Sequence, residues 1–169
     1  MGWFARLIGA VSVEEREGIR LDDAESHWEV EGPKSFTTLF GALRGWLPAD
    51  AIMYFEDGSP DAEISEFMGS YSIPEQSLVA KGTIWPKPVV FHVPASEAAL
   101  VELARIMERH AEAELAVHFH VYLKETILLQ WHDVFAGPLL LSGTIPREKV
   151  EDLARRIGGR FREVAEQGH

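Results

Sequence analysis

Residues 115–132 read LAVHFHVYLKETILLQWH. Apolar and polar side chains alternate from Leu115 to Tyr122 and again from Ile127 to His132, the pattern of two antiparallel strands joined through Lys124-Glu125-Thr126. Burial chooses the register. With a three-residue turn, Leu123 faces Ile127, Val121 faces Leu129 and Phe119 faces Trp131, so the bulky apolar groups share one face. The same register sets His118 opposite His132 and His120 opposite Gln130 on the other face, along with Tyr122 and Leu128.

Downstream, Leu139 to Thr144 reads as a further strand. Pro146 opens a helix carrying Val150, Leu153, Ala154 and Ile157, and Arg155-Arg156-Ile157-Gly158-Gly159 combines basic residues and glycine in the way helices end. Residues Arg160 to Val164 then resume as an edge strand. Upstream, Val89 to Val93 is a strand with His92 on the face opposite Val89, Phe91 and Val93. Ser96 caps a helix with the apolar stripe Leu100, Leu103, Ala104, Met107 and Ala111. From Val89 onward the order is strand, helix, strand, strand, an inserted strand, helix, strand. That is a split β-α-β, ferredoxin-like arrangement, and the fold class is α+β: a mainly antiparallel sheet with helices on one face.

The first half is expected to extend the same sheet. His27 to Glu31 and Ala51 to Phe55 read as strands. Ser35 caps a helix whose Phe36, Leu39, Phe40, Leu43 and Trp46 recur at spacings of three and four, with Pro48 blocking its continuation. After Asp57-Gly58, Ser59 as cap and Pro60 as first helical residue predict a helix to about Met68. Leu78 to Ile84 reads as a strand leading into Trp85-Pro86-Lys87-Pro88. Residues 2 to 9 suit a short helical turn and Glu14 to Asp23 a charged connection. No linker or repeat divides the chain, so residues 1–169 read as one domain, with 1–25 a loosely packed N-terminal segment.

Of the 169 residues, 46% are hydrophobic and 25% charged, so the chain is expected to fold around a core of its own. The absence of cysteine excludes disulfides, thiolate metal ligands and a cysteine nucleophile. No apolar run approaches the ~20 residues of a membrane-spanning helix, and the N-terminus lacks a signal-peptide pattern, so a cytoplasmic protein with no membrane contact is expected. The net charge of −11 is concentrated: residues 1 to 75 hold 15 acids against 5 bases, residues 76 to 169 hold 12 against 11. Such a field repels phosphate backbones and steers basic partners, which argues against nucleic-acid binding. Phosphate-binding loops, a serine-hydrolase elbow and a His-Glu-x-x-His helix are all missing.

Two functions follow as expectations. The first is a non-enzymatic, acidic protein-binding module, like an immunity protein or antitoxin, that meets a basic partner through Glu14, Glu15, Asp22, Asp23, Glu25 and the Pro-flanked Trp85. The alternative is a metal-dependent enzyme of hydrolase type. His118, His120 and His132 would hold a divalent transition metal, because histidines two apart on a strand and opposite one another across strands can reach one ion. Asp133 or Glu56 would be the nearby carboxylate. Glu56 and Asp57, at the end of a buried strand, form a second acidic candidate without a nameable partner. Self-association through an exposed sheet edge, giving a homo-oligomer, is a third expectation.

Overall fold

The computed structural model describes residues 26–74, 89–124, 126–134 and 136–165. They form an α+β structure with one seven-stranded antiparallel sheet and five helices. In chain order these are β1 (His27–Val30), α1 (Phe36–Leu43), β2 (Ile52–Glu56), α2 (Ala62–Tyr71), β3 (Val90–Pro94), α3 (Glu97–Met107), α4 (Glu112–Leu115), β4 (His118–Leu123), β5 (Thr126–Trp131), β6 (Leu139–Ser142), α5 (Arg147–Ile157) and β7 (Phe161–Val164). The expected strand at Leu78 to Ile84 and the expected elements in residues 1–25 lie outside the described residues.

The sheet order is β3-β2-β4-β5-β6-β1-β7. The second half therefore does not pair within itself in ferredoxin-like order. β2 and β1, from the first half, are interposed: β3 and β4 both run antiparallel to β2, and β6 and β7 both run antiparallel to β1. Two split β-α-β units result, one through α3 and α4 and one through α5, joined by the β4-β5-β6 meander. Local alternation reveals a strand but not its neighbours, which explains the difference.

One parity of every strand makes the core. Trp28, Val30, Met53, Phe55, Val93, Phe119, Val121, Leu129, Trp131, Leu139 and Leu141 are buried in one cluster with the apolar faces of the helices. At its centre Phe36 stacks on Phe40 and meets Phe119 and Trp131 edge-on, at ring separations of 5.3 to 5.6 Å. The Ser35 side chain caps α1 by accepting the Thr38 N–H at 3.2 Å, and the Phe36 N–H donates to Glu112 of α4 at 2.8 Å. α5 ends as expected, at Gly158 in the left-handed conformation (φ 72°).

Three local expectations are corrected. α2 starts two residues later than Ser59-Pro60 suggests, because the Asp61 side chain accepts the Ile64 N–H at 3.0 Å while the Ser59 N–H goes to Ala113 O. Leu115 belongs to the turn of α4, so β4 begins at His118. The hairpin keeps the expected pairs Phe119–Trp131, His120–Gln130 and Val121–Leu129, but a bulge between Val121 and Tyr122 shifts the tip to Tyr122–Ile127 and Leu123–Thr126. Leu128 thus packs against the main core, and Ile127 takes its place beside Tyr122.

Replacing Phe36 by Ala removes the ring on which three others converge, and is expected to lower stability by about 3–5 kcal/mol, measured by urea unfolding. A loss below about 1 kcal/mol would contradict this packing role.

Candidate functional site on the polar face of the sheet

The other parity of the strands carries a different chemistry. Cα pairing sets a row across the sheet: His92 on β3, Tyr54 on β2, His120 on β4, Gln130 on β5, Leu140 on β6, Glu29 on β1 and Arg162 on β7. Beside it, Glu56 is paired with His118, and His27 with Ser142. The buried polar residues among those described, His27, Glu56, His92, His120, Gln130 and Ser142, all lie on this face. Burying polar groups is unfavourable unless they are hydrogen-bonded, so their concentration on one side marks that side as specialised.

Hydrogen bonds and ring contacts hold the face together. Tyr54 Oη donates to Glu56 Oε2 at 2.6 Å, two residues along the same strand. His92 Nδ1 and Tyr122 Oη are 2.8 Å apart across β2. The Tyr54 ring meets His92 and His120 edge-on, at 5.3 and 5.4 Å.

At the end of β2 the face opens. His118 and His132 stack in parallel at 4.0 Å, and the Asp133 N–H donates to His118 Nδ1 at 2.9 Å. One ring nitrogen of His118 and one carboxylate oxygen from each of Glu56 and Asp57 lie within 4.8 Å of one another. Asp57 (φ 58°), within this group, and Asp133 (φ 56°), bonded to its His118, both adopt left-handed backbone conformations. Such conformations are uncommon for residues with a side chain and cluster at functional sites. The chain is fixed here by the Val117 N–H to Glu56 O bond at 2.9 Å and by Gly58, where an added Cβ would come 2.2 Å from Leu115 O.

Of the three histidines singled out in the sequence, the structure brings His118 and His132 into contact, while His120 lies two residues further along β4 against Tyr54. An imidazole ligates through a lone pair in its ring plane, with the ion about 2.0–2.1 Å away. Parallel rings 4.0 Å apart aim those lone pairs side by side rather than at one point. The convergent set instead joins His118 to Glu56 and Asp57, supplying the partner that the acidic pair lacked in the sequence. Tyr54 does not stand out in the sequence because Ala51 to Phe55 reads as an apolar run; its alternation with Glu56 is the available signal.

A second convergent group, Asp61, His110 and Glu114, sits at the start of α2, and there His110 already faces a carboxylate with each ring nitrogen. Glu14, Glu15, Asp22, Asp23, Glu25 and Trp85, the residues expected to meet a partner, lie outside the described residues. No helix among the described residues is long and apolar enough to cross a membrane. The chain matches no protein-family model, no curated protein and no solved structure.

Proposed function

We propose that the protein is a metal-dependent enzyme of hydrolase type, with a divalent transition metal held by Glu56, Asp57 and His118. The observation that carries this reading is the convergence of those three ligand atoms on the face that also collects the buried polar residues. Three protein ligands leave a coordination position for water, whose proton a bound ion makes easier to remove. Tyr54 supports the set from behind by fixing one oxygen of Glu56. This ligand set keeps His118 from the sequence expectation and replaces His120 and His132 by two carboxylates.

The Asp133 N–H occupies His118 Nδ1, so the neutral ring carries its proton on Nε2. Binding at Nδ1 puts the ion in the amide's place, and binding at Nε2 sends the ring's proton to Nδ1, so either way the Asp133 bond is given up. Giving up one hydrogen bond costs about 1–3 kcal/mol, whereas structural zinc sites supply on the order of 10 kcal/mol or more, so the exchange is affordable. Protein purified without chelator and loaded with zinc is expected to hold one equivalent by elemental mass spectrometry. Glu56→Gln and His118→Ala should abolish it, and Tyr54→Phe should weaken affinity by about ten- to a hundredfold. Zinc retained undiminished in Glu56→Gln, with the folded circular-dichroism spectrum unchanged, would overturn the ligand assignment.

A second reading, the acidic protein-binding module, is favoured by how the positive charges are used. Arg44, Arg105, Arg109, Arg155, Arg156, Arg160 and Arg162 all form ion pairs with carboxylates, and Arg147 lies against Trp28 and Phe161. Cations committed in this way leave the excess acid to set the outer field. On this reading an arginine- and lysine-rich peptide binds at low ionic strength and is released as salt rises, in a fluorescence-anisotropy titration. Failure to bind at low salt would count against it.

A further inference from the structure

His110 lies between α3 and α4 with its side chain only 10% exposed. Nδ1 is 2.9 Å from Glu114 Oε2 of α4, and Nε2 is 3.0 Å from Glu63 Oε2 of α2. Asp61, the N-cap of α2, adds a third carboxylate at 3.8 Å. Imidazole donates from both nitrogens only when it is protonated, so this geometry is that of an imidazolium bridging two helices. The remaining charges on the cluster come from α3 and its end: Arg109 binds Glu63 at 2.5 Å, and Arg105 reaches Glu63 at 3.4 Å while paired with Glu102.

We propose that His110 is a protonation-dependent clasp that pins Asp61 and Glu63, at the start of α2, to the α3–α4 connection. The backbone contacts across the same seam are few. The Ser59 N–H donates to Ala113 O at 3.1 Å, and Gly58 lies flush against Leu115 O. When His110 loses its proton, one nitrogen turns a lone pair towards a carboxylate. Asp61, Glu63 and Glu114 then face one another with only the two arginines to offset them. The β2–α2 loop begins at Asp57 and α4 leads into His118, so the clasp governs the spacing of the candidate site, although its own operation requires no bound metal.

The titration directions agree with this arrangement. His110 is raised above its usual 6.5 by its bonds to Glu114 and Glu63, against the opposing effect of burial. Glu63 and Glu114 are lowered from 4.5, each chiefly by the bond to His110. Stability from His110 is fully present below 6.5 and is lost as pH rises through its raised value. Stability from the two glutamates is present above 4.5 and is lost as pH falls through their lowered values. The clasp is closed between those limits.

Hydrogen exchange of the Ser59 amide, with the His110 titration followed by NMR in the full chain, tests this. After correction for the intrinsic rate, exchange should rise as pH passes His110's midpoint, by about tenfold for each unit that the midpoint lies above 6.5. His110→Gln should abolish that step, and Glu114→Gln should move it to lower pH. A His110 midpoint at or below 6.5, or the same step in His110→Gln, would overturn the proposal.

Discussion

The pairing of β2 with β4 is the constraint on which the rest depends. Met53 opposite Val121 and Phe55 opposite Phe119 hold the register by burial, under a helix layer that tolerates no polar group there. Because side chains alternate, the same pairing places Tyr54 against His120 and Glu56 against His118 on the reverse side. A slip of one residue would put Glu56 into the aromatic core and Met53 among the histidines. The polar face is therefore not built independently. It is the other parity of the strands that make the core.

How much of this was legible in the sequence follows from the range of the interactions involved. The centre of the hairpin was readable because Phe119, Val121, Leu129 and Trp131 must be buried together, whatever else the chain does. Its tip was not, because Ile127-Leu128-Leu129 does not alternate, and only the bulge decides which of the three leaves the core. Helix caps at Ser35 and Ser96 are local and were visible, whereas Ser59 and Asp61 are both competent caps and the choice rests on a contact with Ala113, 54 positions after Ser59. Strand order was the least legible feature. Inserting β2 between β3 and β4 requires pairings that no local pattern encodes.

The same distinction applies to the candidate site. The His-x-His of β4 and the Glu56-Asp57 pair each stood out locally, but the geometry that joins them arises only when β2 lies beside β4. His110 and Glu114 are four positions apart, but the partner that completes the bridge, Glu63, comes from α2, 47 positions upstream. Both groups border the same short loop. Its conformation is held on one side by the left-handed Asp57 and on the other by the capping Asp61, with Gly58 between them in a gap that admits no side chain.

On the proposed ligand set, His118 exchanges its bond with the Asp133 amide for a metal ion shared with Glu56 and Asp57. The most direct measurement is an NMR titration of the labelled protein with zinc, following the Asp133 amide and the His118 ring nitrogens. Both are expected to change together and to be complete at one equivalent, with the Asp133 resonance moving to the position of an amide that has lost its imidazole acceptor. An Asp133 amide and a His118 ring that remain unchanged through excess zinc would contradict that exchange.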